Sequence, residues 1–255
     1  MDATRSPIFD SHFHIVDPRF PMVANQGYLP DTYRIEDYQA RTSQFDIRGG
    51  AIVSGSFQAY DQGYLLEALQ RMGPGYVGVT QLLSDVSDEV ILMLNQAGVR
   101  AVRFNLRRGS AEQLNWLEEM AHRIYSLVSW HVELYIDSRE LAPLSQRLLA
   151  LPRVCIDHLG LSRDGFQELL KLVEGGAYVK ASGFGRVDMD ISTALREITN
   201  RNPKALIFGT DLPCPRAPRP FRDEDVTLVH EALGEQLAHQ VFYENALAFY
   251  RPNDR

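Results

Sequence analysis

Short apolar runs alternate with helical periodicity along the whole chain, and the number of these units restricts the fold more than any other feature. The runs fall at 9–15, 49–54, 75–82, 99–106, 132–137, 153–158, 178–182 and 205–211. Between them lie amphipathic segments at 33–44, 62–72, 87–96, 111–128, 140–149, 166–173 and 191–201, and helices at 223–233 and 235–250 finish the chain. Val90, Ile91 and Leu94, with Gly98 closing the segment, typify the helical spacing. Eight βα units at about 30-residue spacing fit a (β/α)8 TIM barrel, because right-handed crossovers wind such units into a closed ring. An open doubly wound sheet is the competing arrangement. Against it, no Gly-x-Gly-x-x-Gly phosphate cradle follows an early strand. No internal repeat or linker interrupts the series, so residues 1–255 are expected to form a single domain.

Composition narrows the function classes. A formal net charge of −7 argues against a nucleic-acid surface, which needs a clustered basic excess. Two cysteines, Cys155 and Cys214, point to a reducing compartment rather than a disulfide framework, and neither has metal-ligand spacing. The first residues lack the apolar core of a signal peptide, and no run approaches ~18 apolar residues. A cytoplasmic protein with no membrane partner is expected. Nothing in the residues sets an oligomeric state.

Chemistry-bearing residues recur at the ends of the predicted strands, where a barrel collects its function. The first strand carries Asp10-x-His12-x-His14. Strict alternation puts these three on one face and Phe9, Ser11, Phe13 and Ile15 on the other. Two adjacent imidazoles can share a divalent ion or polarise one carbonyl oxygen, although two polar residues ending a surface strand would give the same pattern. On the fourth strand Val102, Phe104 and Leu106 alternate with Arg103 and Asn105, which places the latter two in the barrel mouth. A guanidinium there needs an anion, either an internal partner such as Asp10 or Glu133 or a substrate. Arg107 and Arg108 follow in a loop. The fifth strand points Glu133, Tyr135 and Asp137 inward, and the sixth ends in Asp157-His158. The seventh presents Lys180 and Ser182, followed by a Gly183-Phe184-Gly185-Arg186 loop able to bring Arg186 over the mouth. The eighth ends in Asp211, and a rim carboxylate of this kind can orient and deprotonate water.

In order and spacing, Asp10-x-His12-x-His14, Ile156-Asp157-His158-Leu159-Gly160, Val179-Lys180-x-Ser182-Gly183, Gly209-Thr210-Asp211-x-Pro213 and Glu244-Asn245 resemble the amidohydrolase superfamily, in its family 2 branch of (β/α)8 hydrolases and decarboxylases. Within that branch the stretch 99–106 and the Tyr135 strand are similar to 2-pyrone-4,6-dicarboxylate lactonases and sugar lactonases. The resemblance implies a catalytic cluster of His12, His14, His158 and Asp211. It implies substrate carboxylates held by Arg103, Arg108 and Arg186, with Asn105 and Tyr135 also lining the site. Metal-dependent members carry a histidine on the fifth strand, where this chain has Tyr135. No cofactor is therefore expected, although a divalent metal such as zinc is possible, with His12, His14 and Asp211 as its ligands.

The expected activity is hydrolysis of a lactone of a small anionic substrate. Asp211 activates water and the histidines polarise the carbonyl. A metal-dependent hydrolase or decarboxylase of a small aromatic acid is the alternative. A non-catalytic binder of an acidic ligand is a second, which would leave three histidines and an aspartate at one rim without a use.

Overall fold

Backbone hydrogen bonds from His14 N to Leu212 O and from Asp211 N to His12 O, each 2.7 Å, join the first strand to the last and close a ring. The computed structural model describes residues 6–107 and 113–252. Its strands are β1 (Pro7–Phe13), β2 (Asp46–Val53), β3 (Tyr76–Thr80), β4 (Val99–Asn105), β5 (His131–Tyr135), β6 (Val154–Ile156), β7 (Tyr178–Ala181) and β8 (Leu206–Phe208). All pair in parallel and in chain order. The helices are α1 (Ile35–Thr42), α2 (Gly63–Met72), α3 (Asp88–Gln96), α4 (Gln113–Val128), α5 (Ser145–Leu149), α6 (Phe166–Glu174), α7 (Ile191–Arg201), α8 (Glu224–His239) and α9 (Asn245–Tyr250). This is the expected (β/α)8 barrel. No described helix is long and apolar enough to cross a membrane.

Local chemistry sets the element ends. Ser87 accepts a hydrogen bond from Val90 N and so caps the start of α3. Gly234, at φ +74°, breaks the helical geometry of α8 at the boundary expected between the two terminal helices. The helix expected over 140–149 is instead two single turns, Ser138–Glu140 and Ala142–Leu144, before the short α5. Pro143 accounts for this, since it has no N–H for a continuous helical ladder.

Side-chain alternation sorts the core into two layers. Val102, Phe104, Val132, Leu134 and Ile136 pack outward into the layer shared with the helices. Phe9, Ala51, Val53, Val77, Val79, Ala101, Cys155 and Ile207 fill the interior, joined by Phe249 and Tyr250 of α9.

One face assignment is corrected. Asp10 pairs with Gly50 and Phe13 with Ile52, so β1 advances three residues where β2 advances two. The extra residue is a bulge, which reverses the alternation. Phe9 consequently faces inward. The Asp10 carboxylate instead accepts hydrogen bonds from the Tyr38 hydroxyl at 3.1 Å and from Thr210 N and Oγ1 at 2.8 and 2.7 Å. Only His12 and His14 continue into the mouth.

Candidate active site

The strand ends deliver four groups to one point. Asp211 Oδ1 lies 3.8 Å from His12 Nε2, 3.6 Å from His14 Nε2 and 3.9 Å from His158 Nε2. All four residues are buried. The backbone of Asp211 is left-handed at φ +62°, a conformation that aspartate tolerates better than most residues. Close strand contact fixes His12, because a Cβ on Gly209 would come within 2.7 Å of His12 N.

Each histidine has a different partner behind it. His14 Nδ1 donates to the Val53 carbonyl at 2.7 Å, which leaves Nε2 facing Asp211. His158 Nδ1 meets the Ser182 hydroxyl at 2.9 Å. Lys180 Nζ lies 3.2 Å from His12 Nδ1 and, as an ammonium, has only protons to give. Asp157 Oδ1 stands 3.4 Å from the same nitrogen; in the tautomer in which Nδ1 accepts from the nearer Lys180, Nε2 carries the ring proton into the site. Burial, then the charge of Lys180, holds the His12 pKa well below its ordinary value, and burial lowers that of His158 to about 4.

Charges beneath the site are balanced in pairs. Lys180 forms a buried ion pair with Glu133, whose other oxygen accepts from Tyr250 Oη at 2.6 Å. Burial opposes the charge on Lys180, but Glu133 and Asp157 outweigh it. Arg103 Nη2 and Nε both lie 2.9 Å from Asp157 Oδ2. Arg103 thus has an internal partner, and it is Asp157 rather than the expected Asp10 or Glu133. His131, four residues before Tyr135, lies away from the mouth, 3.2 Å from Glu133 and packed on Phe249 and Tyr250.

Arg186 Nε contacts Asp211 Oδ2 at 2.6 Å and its Nη2 donates to Pro215 O at 2.8 Å. Burial favours the neutral acid at Asp211, but Arg186 and then His158 outweigh it and hold the carboxyl well below the usual carboxylate range. Asp211 is an anion at neutral pH, with Oδ1 lacking a hydrogen-bond partner among the described residues.

Above these groups a cleft opens at the barrel mouth. Of the expected residues, His14, His158, Asp211, Arg103, Asn105, Tyr135 and Arg186 line it. His12 lies at its base, against Asp211. Arg108, expected to hold a carboxylate, falls outside the described residues. Tyr28, Ser56, Phe57 and Arg216 also line the cleft, and sequence reasoning missed them because they sit on loops with no periodicity. Lys180 had a legible signal: an amine on the inner face of a strand needs anions, and Glu133 sits on an inner face too.

Divalent-ion chemistry has a donor set here. His12, His158 and Asp211 each offer an atom within 4.8 Å of the others, and among the described residues His12 Nε2 and Asp211 Oδ1 are both buried without hydrogen-bond partners. His14, expected as a ligand beside His12 and Asp211 with His158 as a possible fourth, has its Nε2 3.6 Å from Asp211 Oδ1. The residue types and spacing fit an ion such as zinc.

The chain belongs to the amidohydrolase family, whose model matches residues 9–251, and it is a hydrolase. It is similar to the 2-pyrone-4,6-dicarboxylate hydrolase of Comamonas testosteroni, at 24% identity over 96% of this chain and 90% of that protein. Its fold matches a probable 2-pyrone-4,6-dicarboxylic acid hydrolase of Acinetobacter baumannii with citric acid bound, at TM-score 0.82 and 20% identity over 96% of this chain and 99% of that one. It also matches an amidohydrolase of Burkholderia multivorans with bound zinc, at TM-score 0.73 and 16% identity over 96% and 99% of the two chains.

Proposed function

We propose that this hydrolase opens the lactone of a small carboxylated molecule, such as a pyrone carboxylate or an aldonolactone. The observation that carries the reading is Asp211: an ionised carboxylate at the cleft floor, with one oxygen held by Arg186 and the other unpartnered among the described residues, ringed by three imidazoles. The kinship to a pyrone dicarboxylate hydrolase supports the substrate class.

In this reading Asp211 Oδ1 takes a proton from water as the water oxygen attacks the acyl carbon. The carbonyl oxygen becomes an oxyanion, and His12 Nε2–H donates to it. Preorganised donors of this kind are worth ~3 kcal/mol each in the transition state. His158 supplies a second when its Nδ1 accepts from Ser182. His14 has its Nδ1 proton committed to Val53, so it donates from Nε2 only as an imidazolium. The acyl C–O bond of the ring then breaks. The proton on Asp211 passes to the departing oxygen, leaving a hydroxyl or its keto tautomer and a carboxylic acid, which releases its proton to solvent to become the carboxylate.

Bound by His12, His158 and Asp211, a divalent ion would supply Lewis-acid polarisation of the same carbonyl. For His12 to act as a ligand through Nε2, its ring proton would sit on Nδ1, where the buried Asp157 Oδ1 stands 3.4 Å away to accept it.

The test is ring opening of 2-pyrone-4,6-dicarboxylate, an aldonolactone and a neutral lactone, followed by proton release before and after chelation. Turnover of a carboxylated lactone that survives chelation, with less than one metal equivalent per chain, is the expected result. Activity lost on chelation and recovered with zinc, or carbon dioxide release from an aromatic acid, would favour the metal-dependent hydrolase or decarboxylase to which the His12, His158 and Asp211 grouping gives substance.

A further inference from the structure

Two of the arginines expected to grip a carboxylate already have one. Arg103 is neutralised by Asp157 and Arg186 by Asp211. Among the described residues, the remaining guanidinium lining the cleft is Arg216, on the loop after β8. Among the described residues no carboxylate forms an ion pair with it. Its partners are neutral: Nη2 donates to the Asn25 carbonyl, Nη1 lies 3.5 Å from Asn25 Oδ1, and Cζ stands 4.5 Å over the Tyr28 ring.

Asn25 and Tyr28 belong to the long loop between β1 and α1, where their backbones exchange hydrogen bonds of 3.0 and 3.1 Å. Arg216 therefore ties that loop to the loop after β8 across the cleft. Its backbone is left-handed at φ +62°, an unfavoured state for arginine that the surrounding turn imposes. The half-buried side chain lies over the tyrosine and against the cleft. With the other lining charges paired off, Arg216 supplies the net positive charge among the described groups of the cleft.

We infer that Arg216 is the specificity-determining residue that binds the carboxylate of the substrate at the outer edge of the cleft, more than Arg103 or Arg186. A guanidinium exchanging neutral acceptors for a carboxylate gains charge-assisted, bidentate hydrogen bonds. Arg103 and Arg186 act chiefly by fixing Asp157 and Asp211. That the bound molecule is a lactone rests on the reading above; that Arg216 selects an anion does not.

Calorimetric binding of isophthalate, a flat dicarboxylate with no ester to cleave, and of neutral isophthalamide separates the two. Arg216→Gln should weaken isophthalate roughly tenfold or more, the loss of one charge-assisted contact, while leaving isophthalamide unchanged. Arg216→Lys, which keeps the charge, should restore part of the affinity. Thermal unfolding run in parallel shows that each variant is folded. Unchanged isophthalate affinity in Arg216→Gln, equal losses for both ligands, or no isophthalate binding by the native protein would overturn the assignment. If the anion effect holds while no lactone is turned over, the lactonase reading fails and the role of Arg216 stands.

Discussion

Arg186 Nε lies 2.6 Å from Asp211 Oδ2, so one oxygen of the carboxylate is anchored and the other is left to act. The arginine does two things at once: it orients the group and it keeps it ionised. Removing it should let the Asp211 pKa rise, since burial alone favours the neutral acid. The base form is the active one and is lost as pH falls through that pKa. In Arg186→Gln the acid limb of the kcat/KM profile should therefore move to higher pH, by about 1–3 pH units. A profile with an unmoved acid limb would separate the arginine from the ionisation of Asp211.

Lys180 should matter to both folding and chemistry. Replacing it with Met leaves Glu133 buried without its cation and removes the donor that favours the His12 proton on Nε2. Breaking a buried pair from one side costs about 3–5 kcal/mol. The double variant Lys180→Met/Glu133→Gln removes both charges and keeps the Arg103–Asp157 pair. Its thermal stability should recover most of the loss while kcat stays low. Recovery of kcat together with stability would show that Lys180 has no part in holding the proton on His12.

Gly183 offers a subtler probe of His158. A Cβ at this position would come within 2.7 Å of His158 Nδ1, at a backbone φ of +57°. Gly183→Ala should push the ring off the Ser182 hydroxyl and lower kcat, with backbone strain of roughly 1–2 kcal/mol in unfolding measurements. Gly176→Ala is the control: it also has positive φ, but nothing lies within 4 Å of its Cβ, so kcat should be unchanged. Equal kcat in the two variants would remove the positioning role of the Ser182 contact.

The barrel was legible because each strand and helix announces itself through local periodicity; alternation then places Arg103, Asn105 and Tyr135, the strand ends place His12, His14, His158 and Asp211, and the loop after β7 brings in Arg186. Where alternation breaks, so does the reading. The bulge in β1 turned the Asp10 carboxylate out of the barrel mouth, and no residue in Phe9–Phe13 advertises an extra backbone unit. Pairing was also beyond the sequence. That Arg103 needed an anion followed from its burial, but whether Asp157, Asp10 or Glu133 supplied it depended on how strands β4 and β6 sit across the barrel. Loop residues such as Tyr28 and Arg216 meet through the return of two loops far apart in the chain, and no spacing rule records that meeting.

Proton abstraction from water by Asp211 is tested by the turnover of Asp211→Asn on a carboxylated lactone, beside native protein of the same thermal stability. An amide accepts no proton from water, so kcat should fall by ~10²-fold or more while the fold persists. Turnover by a folded Asp211→Asn at the native rate would contradict the mechanism outright.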